Sequence, residues 1–461
     1  MRRTVILNVV GLTQALVDSG HMPKLSDFFL QGQVSKIRPT FPAVTCTAQA
    51  TYLTGLAPCE HGIVGNGWYD RSLAEVHFWK QSNHLVSGRK LWEKLRDHDS
   101  SFTCAQLFWW YNMYASVDYS ITPRPMYPAD GRKIFDIYTG PLAIRSEIKK
   151  DLGEFPFSSF WGPLAGIDSS QWIADAARWM EERHHPTLSL VYLPHLDYNL
   201  QRLGPNDSKI QADLRQMDEL VGELMDFFQK QSVQIAILSE YGITEVDGPI
   251  HLNRLFRQNG WITIKEELGL EQLDCGASKV FAVADHQIAH IYINDPLVRL
   301  KVRTVLEAEA GVQRVLDRAE QVEWGIQHPR SGDLIAIAKA RNWFTYYYWH
   351  DDDLAPDFAR CIDIHRKIGY DPVELFMDPK LGYPQLRVAT FLLRKKLGFR
   401  ALLDVIPLDA SLVRGSHGRH SEDENNWPIL CLEKQHHLEC VVKTLGSEEV
   451  HEELLQYCRR P

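Results

Sequence analysis

The sequence predicts an α/β fold: a doubly wound, mostly parallel sheet with helices on both faces. Three stretches carry that expectation. Residues 4–10 (TVILNVV), 187–193 (TLSLVYL) and 233–238 (VQIAIL) are short, β-branched and almost unbroken in apolar character, the pattern of strands buried on both faces. Residues 170–183 (SQWIADAARWMEER) and the long run 208–229 repeat their apolar positions at helical spacing instead. Strand and helix alternating in this order make parallel crossovers.

Composition sets the outer limits. The chain has 461 residues, 44% hydrophobic and 24% charged, which suits a soluble globular protein with a large core. A net charge of −9 with no long Lys/Arg run argues against nucleic acid as a partner. Residues 394–400 (RKKLGFR) come nearest to a basic patch, and a solvated helix end accounts for them. The eight cysteines form no CxxC pair, so no zinc ribbon or thioredoxin-like motif is present, and reduced thiols in a cytoplasmic protein are expected. The opening MRRTVILNVVGL reads as a first strand rather than a leader. No apolar stretch approaches a membrane span, so no membrane partner is expected.

Taken in order, the first strand closes at Gly11. Residues 41–66 (FPAVTCTAQATYLTGLAPCEHGIVGN) open on a Phe-Pro stop, then offer Thr45, Cys46 and Thr47 as caps for a short buried helix over 48–53 that Gly55 and Pro58 end. A helix N-terminus presents unpaired N–H groups and the positive end of the dipole, so a hydroxyl there sits where a bound phosphorus would be attacked. Residues 67–165 are aromatic-rich. Within them 102–108 suits a core strand, and 109–119 (WWYNMYASVDY) reads equally as a ligand wall or as core. The strand at 187–193 delivers Pro194, His195 and Asp197 to its carboxyl end, where open α/β sheets bind ligands. The strand at 233–238 leads into Ser239-Glu240-Tyr241-Gly242. Residues 279–294 read as two strand pieces around Asp285-His286-Gln287, followed by a helix from Asp295-Pro296 to about Glu309. A strand follows in 328–338, a second aromatic cluster at 342–353, loops and short helices decorating the core at 354–410, then Arg414-Gly415-Ser416-His417-Gly418, a strand-like WPILCLE and a C-terminal helix over about 446–459. One domain over 1–461 is expected, with cap segments inserted at about 67–165 and 340–410.

The segment 41–66 resembles the nucleophile segment of the type I phosphodiesterase/nucleotide pyrophosphatase branch of the alkaline phosphatase superfamily. In that family a nucleophilic Thr is followed nine residues later by Thr-Gly and then by a His-Gly-Ile-x-x-Asn run. Here Thr54-Gly55 lies nine residues after Thr45, and His61-Gly62-Ile63-Val64-Gly65-Asn66 follows, so the register selects Thr45 over Thr47. A sulfatase-type motif at Cys46 lacks its Arg and is one residue out of register. The resemblance implies an alkaline phosphatase-like fold and a metal-dependent phosphoric ester hydrolase, phosphodiesterase- or nucleotide-pyrophosphatase-like, acting on a small-molecule phosphoester. In the family two zinc ions, held by Asp and His ligands, activate the Thr.

Carried over position by position, the implied metal ligands are Asp197, Gln201, Glu240 and His417. Three of the family's positions are altered: Val10 stands for an Asp, Gln201 for a His and Tyr241 for a His. An oxygen-rich set shifts preference from zinc toward Mn²⁺ or Mg²⁺, with one or two ions. Asn8, His195, Tyr241 and His286 are the residues available to fill the gaps, and His365 is a further imidazole beside a carboxylate. Arg330 and Arg414 are the candidates for holding a substrate anion by a bidentate contact. The alternative from a different class is a metal-free binding or regulatory protein on the same fold.

Overall fold

The computed structural model describes residues 1–397, 399, 402–433 and 443–460. Among the described residues, nine strands form the main sheet. Their spatial order is Lys443–Gly446, Gln33–Arg38, Ile429–Leu432, Gln234–Leu238, Thr4–Val9, Leu188–Leu193, Cys104–Leu107, Tyr119–Pro123 and Ile137–Gly140. The run from Gln234–Leu238 to Tyr119–Pro123 is parallel throughout. Ile429–Leu432 runs antiparallel to both neighbours, and Ile137–Gly140 closes the far edge as an antiparallel strand.

Every residue of the three central strands is buried, which is why their sequences run apolar without alternation. Their polar exceptions find hydrogen-bond partners, apart from Asn8 Oδ1. Gln234 donates to Thr4 Oγ1 at 2.7 Å and to the Tyr457 carbonyl at 3.0 Å, and Asn8 donates to Glu240. The expected helices form over Ile167–His184 and Ile210–Lys230 and return the chain between parallel strands. Because neighbouring strands point the same way, the residues after Leu193 and Leu238 emerge at one end of the sheet, beside the end of Thr4–Val9. Everything chemical in this protein is gathered there.

A second, smaller sheet is antiparallel, in the order Val280–Asp285, Ile288–Ile293, Leu334–Ala338, Val312–Leu316. Its first two strands are the pair expected around Asp285-His286-Gln287. The tight turn between them puts His286 at φ +62°, in the left-handed region that two-residue hairpins require and that a non-glycine residue seldom adopts. That turn aims His286 at the end of the main sheet.

The segment 67–165 is less of an insert than its composition suggests, since three main-sheet strands come from it. Both aromatic stretches are largely core, although Tyr114 is exposed. Trp109, Trp110, Tyr111 and Met113 are buried, and Trp343, Tyr346, Tyr347, Tyr348 and Trp349 form one cluster with Phe281, Tyr292 and Phe358. The loops and short helices expected over 354–410 take the form of short 3₁₀ turns within 352–375 and a helix Pro384–Lys396. No disulfide joins the cysteines among the described residues; Cys440 lies outside them. No helix among the described residues is long and apolar enough to cross a membrane.

The segment carrying His417 is clamped against the helix that carries Asp197. Gly415–Ser416 pairs with Thr244–Glu245, Arg414 N donates to the Gln201 carbonyl at 3.0 Å, and a side chain on Gly415 would collide with the Leu200 carbonyl. Replacing Gly415 with alanine is expected to cost about 1–3 kcal/mol of stability, as overpacking does. Urea unfolding checks this, and an unchanged midpoint would show that the clamp has slack.

Candidate active site

The helix Thr45–Thr54 begins at Thr45 itself, and all ten of its residues are buried. Thr45, Cys46 and Thr47 therefore lie inside the first turn instead of capping it, and Val44 is the cap residue without a side-chain bond. The capping comes from a distance: Asn66 Oδ1 accepts Cys46 N–H at 3.0 Å. Asp285 fixes Asn66 in turn, taking its backbone N–H at 2.7 Å and its side-chain amide at 3.1 Å. Gly55, at φ +71°, ends the helix as expected. Thr45 thus stands at the positive end of a ten-residue helix, facing the carboxyl ends of the central strands.

Those strands supply its partners. After Leu193 the chain turns at Pro194 into a helix, His195–Leu203, not foreseen from sequence. It places Asp197 and Gln201 one turn apart on one face, and the Gln201 amide donates to Asp197 Oδ2 at 2.7 Å. After Leu238 come Glu240 and Tyr241. The Tyr241 hydroxyl lies 3.1 Å from Thr45 Oγ1 and donates to Asp197 Oδ1 at 3.1 Å. A phenol has one hydrogen, so the Thr45 hydroxyl must be the donor to Tyr241. Thr45, Tyr241 and Asp197 form a one-way chain. Tyr192 and Glu240 also border the Thr45 hydroxyl.

The rings around this chain are packed face to face. Tyr241 stacks on His417 with centroids 3.6 Å apart and planes at 6°. His286 fills the space between His417 and Tyr370, its centroid 3.7 Å from each. Tyr370 exchanges hydrogen bonds with the Gln201 amide at 3.0 and 3.1 Å. His417 Nδ1 donates to the Ala43 carbonyl at 2.8 Å, and His286 Nδ1 bonds Asp285 Oδ1 at 2.8 Å. Both rings therefore turn an unpartnered Nε2 lone pair inward.

Burial sets the charge state. Desolvation pushes the Asp197 carboxyl up to about 7, against hydrogen bonds from Tyr241 and Gln201 that pull it down. It pushes Glu240 up to about 8, even though Gln49 and Asn8 each donate to Glu240 Oε1 at 2.5 Å. Asp285 rises to about 6 for the same reason. The same desolvation drives His286 and His417 well below the ordinary imidazole value and the Tyr241 phenol well above its own. The imidazoles are neutral, and so is the phenol.

The donors implied for metal do not fit a two-ion centre. Gln201 offers Asp197 its N–H face, and its oxygen is taken by Tyr370. The Tyr241 hydroxyl occupies Asp197 Oδ1, and Glu240 is held by two amides. Val10 is wholly buried hydrocarbon. His417 Nε2 and Asp197 Oδ1 are 4.0 Å apart. Among the described residues, no three or more His, Cys, Asp or Glu are placed together to hold an ion.

Two further expectations need correcting. The Arg330 guanidinium is spent on the carbonyls of Gly62 and Leu85, at 2.7 and 2.9 Å, and lies over the Trp68 ring. Arg414 is exposed, with its charge toward Asp247. His195 faces Asp213, and His365 bonds the Phe78 carbonyl. Of the gap-filling candidates, Asn8, Tyr241 and His286 do join the cluster. Sequence reasoning missed Gln49, Tyr192 and Tyr370. Gln49 had a signal, being a polar residue one turn after Thr45 in an otherwise small and apolar helix; Tyr370, far along the chain, had none.

A family model described as type I phosphodiesterase / nucleotide pyrophosphatase matches residues 4–371. An uncharacterised pyrophosphatase/phosphodiesterase of Schizosaccharomyces pombe is 22% identical over 278 residues, covering 56% of this chain and 50% of the relative's own length. Human ectonucleotide pyrophosphatase/phosphodiesterase 5 has a similar structure, with 12% identity, a TM-score of 0.61 and coverage of 100% of this chain and 96% of that one. An inactive form of the murine protein, in complex with AMP, aligns with a TM-score of 0.59 at 12% identity and the same coverage. Phosphonoacetate hydrolase of Sinorhizobium meliloti 1021, in complex with phosphonoformate, reaches 0.61 at 13% identity, covering 99% and 96% of the two chains. These structures establish the alkaline phosphatase-type fold.

The raised carboxyl of Glu240 has a thermodynamic signature. Its proton is held more tightly in the folded chain than in the unfolded one, so the associated stability is full at acid pH and is lost as pH rises through about 8. Glu240→Gln cannot ionise. Its Tm is expected to match the wild type near pH 5 and to exceed it by roughly a few degrees near pH 9. Melting curves that stay parallel across this range would refute the shift.

Proposed function

The chain belongs to the type I phosphodiesterase/nucleotide pyrophosphatase family of phosphoric ester hydrolases, and we propose that it cleaves a small-molecule phosphodiester or pyrophosphate by attack of the Thr45 hydroxyl on phosphorus. One observation carries this reading: Thr45 heads a buried helix and gives its hydrogen to Tyr241, which gives its own to Asp197. The nucleophile is aligned with the helix dipole that favours a phosphate anion, and it already has a route for its proton. The phosphorus–oxygen ligands of two structural relatives, AMP and phosphonoformate, support the ligand class.

In this proposal the Thr45 oxygen bonds to phosphorus as its proton passes to Tyr241 and the Tyr241 proton passes to Asp197. The ester bond opposite breaks, and its oxygen leaves with the other half of the substrate. Water then bonds to phosphorus and gives up a proton to solvent while the Thr45–phosphorus bond breaks, the Thr45 oxygen regaining its proton from Tyr241 and Tyr241 its own from Asp197. Tyr241 is the residue that touches the reacting oxygen, and the ring of His417 beneath it fixes the phenol's plane. Asn66, held by Asp285, ties the first turn of the helix in place. The family's divalent ions would supply Lewis acidity at such a site, but the donors of this chain do not gather around an ion, and no step is assigned to one.

Hydrolysis of an aryl phosphodiester tests the proposal. Thr45→Ala is expected to abolish turnover with the fold intact. Tyr241→Phe, which keeps the ring on His417, is expected to lower kcat by about 10²–10⁴-fold with KM little changed, the range for a lost proton transfer. Asp197 accepts a proton only when ionised, so the wild-type rate should climb as pH rises through about 7. Full activity in Thr45→Ala would remove the nucleophile. Rate lost in EDTA and restored by Zn²⁺, Mn²⁺ or Mg²⁺ would show instead that the donors regroup around a metal.

A further inference from the structure

Beyond residue 371, where the family match ends, the helix Pro384–Lys396 is unlike every other helix described above. The buried helices turn their apolar residues inward. Here Leu386, Leu393 and Leu397 are 65%, 57% and 65% exposed, and at spacings of seven and four residues they fall on one side of the helix with Thr390 between them. Tyr383 precedes the stripe at 80% exposure, and Phe399 and Leu402 follow at 65% and 55%. Val388 and Phe391, on the opposite side, are partly buried. This is an amphipathic helix turned outward.

Its charge is as unusual as its exposure. Residues 379–403 contain six basic side chains (Lys380, Arg387, Arg394, Lys395, Lys396 and Arg400) and no acidic one, a charge of +6 in a chain whose net charge is −9. The rest of the protein therefore carries −15. Arg387 is balanced by Asp404 at 2.8 Å, whereas Arg394 is exposed beside the leucine stripe. An exposed Leu/Phe/Tyr stripe flanked by Lys and Arg is the composition that seats a helix in the headgroup layer of a negatively charged bilayer. At 13 residues the helix is about 20 Å long, too short to span one.

We propose that the face made by Tyr383, Leu386, Leu393, Leu397 and Phe399 docks on an anionic membrane surface, with the exposed Arg394 on the lipid headgroups and the basic excess of this stretch adding to the attraction. The apolar stripe enters the acyl boundary and the basic residues supply selectivity for negative lipid. The −15 body is repelled by the same surface, so attachment is confined to this one face.

The test is co-sedimentation of the full chain with vesicles of phosphatidylcholine alone or with about a third phosphatidylglycerol, at low and high salt. The protein should pellet with the anionic vesicles at low salt, stay soluble with the neutral ones, and be released as salt screens the headgroups. Arg394→Gln should weaken partitioning about fivefold, the effect of one basic residue at such a surface. The double variant Leu393→Glu/Leu397→Glu should lose binding more than tenfold while keeping its Tm. Wild-type binding by the double variant, or no binding to either vesicle, would overturn the proposal. So would a stable dimer that the double variant dissociates, since the face would then belong to a second copy of this chain.

Discussion

The phenolic hydroxyl of Tyr241 has one hydrogen to give, and in this fold it gives it to Asp197. That constraint orients the rest of the site. Thr45 can then only donate to Tyr241, Gln201 must cover the other oxygen of Asp197, and the Gln201 amide is kept in register by Tyr370. The rings of His417 and His286 complete a stack that leaves the phenol no second position. The hydrogen-bond chain depends on three parallel strands ending side by side, on a helix that starts at Thr45, and on a hairpin turn held in a left-handed conformation at His286.

Low dielectric gives that chain its chemistry. A carboxylate in water is a poor acceptor for an alcohol's proton, but burial lifts Asp197 to about 7 and makes it a far better one. The same burial keeps both imidazoles neutral, so their inward lone pairs accept and do not repel a proton. Glu240, at about 8, is kept close to neutral beside Asp197, which avoids placing two bare carboxylates together. Tyr241 puts a hydroxyl against the Thr45 oxygen and Asp197, where it takes up the hydrogen-bonding capacity of both.

Much of the fold was legible in the sequence because buried parallel strands and long amphipathic helices write their periodicity plainly. Residues 4–10, 187–193 and 233–238 became the sheet's centre, and 170–183 and 208–229 became its crossover helices. Thr45, Asp197, Glu240 and His417 were legible through spacing and order, and all four lie at the end of that sheet. What the sequence hid was direction. Whether Gln201 turns its oxygen or its nitrogen to Asp197 depends on Tyr370, which is 169 residues away along the chain. Arg330 looked like an anion-binding residue because a guanidinium carries no sign of which carbonyls it will meet. The aromatic runs at 109–119 and 342–350 could be wall or core, and only the packing around them decided it.

Covalent chemistry at Thr45 is the centre of this account, and a rapid acid quench reaches it directly. The protein would be mixed with an aryl phosphodiester, quenched within milliseconds to seconds, digested, and the peptide spanning residues 41–66 weighed by mass spectrometry. The account predicts the substrate's phosphoryl group on Thr45, at a level that rises in Tyr241→Phe only if release from Thr45 slows more than attack. Steady turnover with that peptide unmodified at every quench time, or with the group on another residue, would contradict it.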